Sequence, residues 1–275
     1  MSLRPIKERA LAEEELRKTE EMRLLLKLIP NLGIAGVRDI RGIFPRLTTG
    51  GTYLEPQELV LIRDLLKGYN LIRSGITSQR ELLPLLWGTV EGIEVLKEII
   101  GHIDRVISPE GEIRDDASPK LIHIRRQKVK QRQIILNKYE VIIKEKGIRL
   151  EQEISIRGGR YVIPLRADER PKVKGIVHDY SRSKNTCFIE PFTMVPENNR
   201  LHELQEEERQ EIERILRELT ELLRPVSREL ILIRDTLAYL DSLLAKARFA
   251  QAYTLKSPEF CWEGIYIKKA KNPLL

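Results

Sequence analysis

Hydrophobic positions recur at helical spacing along most of this chain, and one stretch near its middle breaks the rhythm. Pro5 to Leu28 begins with proline and acidic residues and ends on Leu24, Leu25, Leu26 and Leu28, which predicts a helix. Pro30-Asn31-Leu32-Gly33 ends it. Val37 to Leu47 carries a short helical pattern and runs into a turn at Thr48-Thr49-Gly50-Gly51. Glu55-Pro56 opens a further helix to about Arg73, with Leu59, Ile62, Leu65 and Leu66 on one face. Leu82 to Leu86 and Gly92 to Val106 complete an N-terminal helical body whose apolar positions read as core. After a polar connection, Ser118-Pro119 fits an N-cap followed by proline at the first helical position, and the helix it starts runs to about Lys144.

The C-terminal part returns to helix. Leu201, Leu204, Ile212, Ile215, Leu219 and Leu222 mark the seam of a helix from about Glu197 to Leu223. Arg224-Pro225 interrupts it. Beyond, Val226, Leu230, Ile233, Leu237, Leu240, Leu244 and Ala247 alternate spacings of four and three, a heptad seam that requires a partner helix. A helix of about 27 residues spans ~40 Å, so the long helices before and after the central stretch predict a lever.

The exception runs from Glu151 to Pro191. Glu151 to Arg157 and Arg160 to Arg166 are short β-type runs joined by Gly158-Gly159, and two glycines can both take the positive φ of a tight hairpin. Lys174 to Tyr180 and Thr186 to Glu190 predict a second strand pair around Arg182-Ser183-Lys184-Asn185. The last residues with strand character are Gly264 to Lys268. The expected fold is mainly α with a small antiparallel β insertion of roughly four strands. Its expected divisions are a helical core (1–117), an ascending helix (118–150), the β insertion (151–192), descending helices (193–254) and a linker (255–275).

Charge then changes the picture. From Arg157 to Lys184 the basic residues are Arg157, Arg160, Arg166, Arg170, Lys172, Lys174, Arg182 and Lys184, against only Asp168, Glu169 and Asp179. Such a patch can neutralise phosphates and release counterions. It can equally be a solvated edge that deters aggregation. The preceding helix carries Lys120, Arg125, Arg126, Lys128, Lys130, Arg132, Lys138 and Lys144 against Glu140, so helix and hairpin are expected to share one basic surface. The following helix is acidic through Glu203, Glu206, Glu207, Glu208, Glu211, Glu213, Glu218 and Glu221, which favours antiparallel pairing of the two. A net charge of +7 points the same way, toward a polyanionic partner. Cys187 and Cys261, the only cysteines, imply no disulfide framework, and a reducing cytoplasm fits. No run approaches the eighteen or so apolar residues of a membrane span.

Four sets of residues have types that could carry chemistry. Gly50-Gly51 is no phosphate loop, since no Gly-Lys-Ser/Thr follows. Asp115-Asp116 falls short of the six or more oxygens a hard divalent ion takes. The four histidines form no zinc-type cluster in the sequence. His178-Asp179 with Ser181, Ser183 and Cys187 has the residue types of a hydrolase, but proximity along the chain supplies neither a base in reach nor an oxyanion site. No enzyme is recognisable in these residues.

Several blocks, taken together and in order, resemble the second branch of the MutS family. They are Asp116-Ala117-Ser118-Pro119, Ile156-Arg157 with Gly159-Arg160-Tyr161-Val162-Ile163-Pro164, Gly175-Ile176-Val177-His178-Asp179 and Phe188-Ile189-Glu190-Pro191. Asn198-Asn199 with Leu201, Glu211 to Leu216, Ala245 to Arg248 and Asn272 to Leu275 continue the match. The resemblance implies a core, lever and clamp, with Pro273-Leu274-Leu275 at the threshold of an ATPase domain and with a C-terminal nuclease domain beyond. It implies a full-length dimeric ATPase and endonuclease, using ATP and Mg, that binds branched or duplex DNA, suppresses recombination or acts on stalled ribosomes. For this chain alone it implies no catalysis and no cofactor. Arg157, Arg160, Arg166, Lys172, Lys174, Arg182 and Lys184, with Arg125 and Lys128 on the helix, would face nucleic acid. Three positions depart from the family pattern: Lys184 stands where glycine is common, Tyr180 where glutamine is, and Asn272 where histidine is usual.

The expected function is therefore a backbone-gripping DNA clamp without base readout. Its rivals are a structural lever that dimerises through the 226–247 seam, and a ribosomal RNA contact through the same cations.

Overall fold

A computed structural model describes residues 5–34, 37–149, 153–166, 168–182, 184–261, 264 and 266. It is mainly α with one small antiparallel sheet. Eight helices are described: α1 (Arg9–Leu28), α2 (Phe44–Thr48), α3 (Pro56–Ser78), α4 (Pro84–Val90), α5 (Lys97–Val106), α6 (Pro119–Glu145), α7 (Val195–Leu223) and α8 (Ser227–Ala252). The strands are β1 (Ser155–Arg157), β2 (Arg160–Arg166), β3 (Gly175–Tyr180) and β4 (Thr186–Pro191). The last expected strand, at residues 264–268, lies outside the described residues but for two of them. The chain divides into two compact units, Met1–Asp104 with Leu219–Leu275, and Arg105–Glu218.

In the first unit the heptad seam of α8 is the core. Leu230, Ile233, Leu237, Leu240, Leu244 and Ala247 are buried, and α8 packs along α1 and α3. This corrects one expectation. The seam finds its partner helices, α1 and α3, inside its own unit, so its buried positions are not open to a second copy. Arg224, beside the proline that breaks the helix, donates to the Leu47 and Thr52 carbonyls at 2.6 and 2.9 Å. The helix start α3 is a capping box built from Glu55 and Glu58, with Pro56 at the first position.

Two helix starts differ from expectation. α1 begins at Arg9, not Pro5, and its first turn closes where Ala12 N–H meets the Glu8 carbonyl at 3.0 Å. α5 begins at Lys97 because Gly92 takes φ +77° in the turn that ends α4, so no helix can run through it.

In the second unit Ser118 caps α6 as expected, its hydroxyl accepting the Leu121 N–H at 3.0 Å. The sheet order is β1-β2-β4-β3, antiparallel throughout. Gly158 and Gly159 take φ +56° and +79°, which closes the two-residue hairpin between β1 and β2. One face of the sheet, carrying Ile163, Leu165, Cys187 and Ile189, forms a core with Ile135 and Tyr139 of α6 and Leu201 of α7. Tyr139 also donates its hydroxyl to the Tyr161 carbonyl at 2.5 Å, and burial pushes this phenol well above its ordinary pKa.

Candidate nucleic-acid interface

Period-two alternation sends every second residue of these strands to the sheet's outer face. In β2 that is Arg160, Val162, Pro164 and Arg166; register then aligns Arg157 with Arg160, Phe188 with Pro164, and Ile176 with Glu190. β3 carries a bulge between Val177 and Asp179, so His178 and Asp179 share this face instead of straddling the sheet. Gly175 allows β3 and β4 to approach: a Cβ there would sit 2.2 Å from the Glu190 carbonyl oxygen.

Glu190 anchors the face. Its side chain is fully buried and accepts from Arg160 Nη1 at 2.7 Å, from Asn198 Nδ2 at 2.9 Å, and bonds His178 Nε2 at 2.7 Å. Burial alone would raise its pKa; the bonds from Asn198, His178 and Arg160 outweigh it and hold the carboxyl below its usual range. Arg160 reaches on to Asn199 Oδ1 at 2.6 Å. Arg157 lies over the Phe188 ring, 4.0 Å from its centroid, with Nε 3.3 Å from Asp179 and Nη1 donating to the Ile156 carbonyl at 3.0 Å. Arg157 thus roofs Phe188, which pairs with Pro164 across the strands; Phe188, Pro164 and Val162 are all buried.

The remaining expected residues fall into three sets. Arg166 pairs with Asp168 at 3.2 Å, and Lys172 with Glu169 at 2.9 Å, in a cleft that also takes in Arg149. Arg125 pairs with Glu208 at 2.8 Å and with Asp115, and Lys128 pairs with Glu208. These bonds, with Lys138 to Glu197 and Lys120 to Glu211 at 3.4 Å, run α6 and α7 antiparallel, as their opposite charges suggested. The expected single basic surface therefore needs correcting in part: Lys120, Arg125, Lys128 and Lys138 are matched by α7, while Arg126, Lys130, Arg132 and Lys144 stay exposed without an ion pair among the described residues. Burial would raise the Glu208 pKa, but Lys128 and Arg125 hold it down; Arg214 leads in lowering Glu211 to about 2, with Ser118 and Lys120 adding to it.

Lys174, Arg182 and Lys184 form the third set. All three are exposed, Lys174 directly before edge strand β3 and Arg182 and Lys184 in the turn after it, and none has an ion pair among the described residues. Lys184 takes φ +59°, a left-handed conformation that costs a side-chain-bearing residue about 1–2 kcal/mol. The resemblance expects glycine there, and this backbone explains why glycine would suit.

Ser183 lies outside the described residues, and among those described the hydrolase types are not brought together. His178 serves Glu190, Asp179 pairs with Arg157, and Cys187 is buried on the opposite face of the sheet. Asp115 and Asp116 each pair with an arginine. Among the described residues no group of three or more His, Cys, Asp or Glu side chains could hold a metal, and no helix is long and apolar enough to cross a membrane. Sequence reasoning missed Glu190, Asn198 and Phe188 as parts of the site; the one signal was a lone glutamate inside the apolar run Cys187-Phe188-Ile189-Glu190-Pro191.

The class these features define is a helical chain with a compact, arginine-roofed basic sheet. No protein-family model matches the chain. Over its length it is 33% identical to a protein named Endonuclease MutS2 from Pelotomaculum thermopropionicum, covering all of this chain and 35% of that one. The Thermomicrobium roseum protein of the same name is 37% identical over 94% of this chain and 35% of its own, and that of Geobacillus sp. 36% over 94% and 34%. These similarities support a MutS2-type family, and the chain spans about a third of the length of the curated relatives it matches.

Proposed function

We propose that residues 105–218 form a clamp that grips the backbone of DNA without reading bases, in a MutS2-type protein. The observation that carries this reading is the set Lys174, Arg182 and Lys184: cations spent on nothing else, one of them on a strained backbone. Charges placed only to guard a strand edge would gain nothing from that strain, whereas strain kept at one position is a common mark of function. Arg157, Arg160, Arg125 and Lys128 would build the support, with Arg166 and Lys172 as outer contacts.

In the whole protein the grip would couple to an ATPase and an endonuclease acting on branched DNA to limit recombination, with ATP and Mg held by parts other than the residues described. The same cations would suit ribosomal RNA, and competition between branched DNA and ribosomal subunits ranks the two partners. A homodimer would form through surfaces other than the α8 seam.

The test is a gel-shift titration of duplex, single-stranded and four-way-junction DNA at two salt concentrations. If the three cations each neutralise one phosphate, log K falls with log salt at a slope of about −2.7 on duplex. Alanine at Lys174, Arg182 and Lys184 together flattens that slope; alanine at Arg125 and Lys128 leaves it. An affinity indifferent to salt rejects the proposal.

A further inference from the structure

Arg157 is built differently from the cations that would meet phosphate. Its guanidinium has one face on Phe188 at 4.0 Å and its edge bonded to Asp179 and to the Ile156 carbonyl. A phosphate approaching that edge would have to displace Asp179. Part of the side chain still meets solvent: Arg157 is 39% exposed, and Ile176, on the same sheet face, is 43% exposed. A planar, weakly hydrated cation fixed on an aromatic ring offers a flat surface to a second planar group. The cations flanking β3, Lys174, Arg182 and Lys184, would hold the phosphates on either side of such a group.

We propose that this face holds an unpaired nucleobase stacked on Arg157. The inference rests on the reading of residues 105–218 as a nucleic-acid grip, and it names what that grip takes besides phosphate. A base inside an intact duplex is stacked on both sides and cannot reach the guanidinium; a base at a gap, overhang or branch can. Stacking is indifferent to base identity, since every base has a π-face. Preference for interrupted over continuous duplex would then arise with no sequence readout.

Fluorescence anisotropy of the 275-residue chain tests this with a duplex carrying a short single-stranded gap, and with the same duplex made abasic at the gap nucleotides. Phosphate number is identical, so the grip contributes equally to both. The abasic substrate is expected to bind about five- to tenfold more weakly, with the same salt slope. Arg157→Lys keeps the charge and loses the flat face, and Phe188→Leu keeps an apolar floor and loses the ring. Each, checked for a native melting curve, brings the two substrates to equal affinity. Equal affinity in the unmodified chain, with the salt slope intact, overturns the stacking inference and leaves the grip standing. A base preference that survives in both folded variants removes it from Arg157. Loss of all salt-dependent binding overturns the grip and this inference with it.

Discussion

Arg125, Lys128 and Lys138 of α6 and the cations flanking β3, Lys174, Arg182 and Lys184, look alike in the sequence and do opposite work in the structure. Arg125, Lys128 and Lys138 turn inward to Glu208 and Glu197 and tie two helices together. Lys174, Arg182 and Lys184 are exposed, and their side chains pair with no acid among the described residues. Between them stand Arg157 and Arg160, whose charge is bonded at one edge while part of the side chain meets water. Positive charge therefore counts toward a partner only after the charge consumed in holding the fold has been subtracted. A matched cation has its attraction spent inside the molecule, and a polyanion could recruit it only by breaking that bond.

The largest effect expected from this division is on stability, and it falls at Glu190. Glu190→Ala removes the common acceptor of Arg160, Asn198 and His178 and leaves them facing a hole. Losing one partner of a buried pair costs about 3–5 kcal/mol, and the low end applies because Arg160 and His178 can still reach water. Chemical denaturation should show a loss on the order of 3 kcal/mol. Alanine at Lys174 should change stability by less than about 0.5 kcal/mol, as for an exposed residue without partners. A denaturation midpoint moved equally by the two would erase the distinction between structural and free charge.

Acid should act on the structural set next. Glu190, Glu208 and Glu211 all have folded pKa values below the ordinary carboxylate range. A depressed folded pKa contributes stability that is present above the unfolded value, about 4.3, and is lost as pH falls through the folded value. The melting temperature should hold above about pH 5 and fall from there toward pH 2, the region to which Glu211 is lowered. Glu211→Gln should begin from lower stability at pH 7 and lose less on acidification. Melting curves between pH 2 and 7 decide it; an unchanged acid limb in the variant would show that Glu211 carries none of this dependence.

Much of the fold was legible because it is written in local pattern. Periodicity gave the helices, Ser118-Pro119 gave a cap, and Gly158-Gly159 gave a hairpin whose positive φ was expected. Helix starts were less legible: Pro5 and Gly92 carry start-like or neutral signals that only the turn geometry around Glu8 and Gly92 overrides. The site was legible in its cations and illegible in their partners. Whether Lys128 is free depends on the register of α6 against α7, about 80 residues away in sequence, and no short-range signal fixes that. The bulge that turns His178 and Asp179 to one face is likewise a product of strand pairing. So is the role of Glu190, since a glutamate in an apolar strand reads as an exposed edge until Arg160 and Asn198 are seen to close over it.

Lys184 offers the smallest effect and the sharpest separation. Lys184→Gly relieves the left-handed backbone at φ +59°, worth about 1 kcal/mol, against a loss of side-chain contacts that is small because the residue is exposed. The same substitution removes one of the unmatched cations flanking β3, so the salt slope should become shallower by about 0.9. Stability and affinity would then move in opposite directions on one change. A residue that only guards the strand edge would yield the stability gain with no change in slope, and a residue serving the fold would show a loss of stability instead. Denaturation and salt titration of this one variant, beside Lys184→Ala, which loses the charge but keeps the backbone strain, distinguish the three roles.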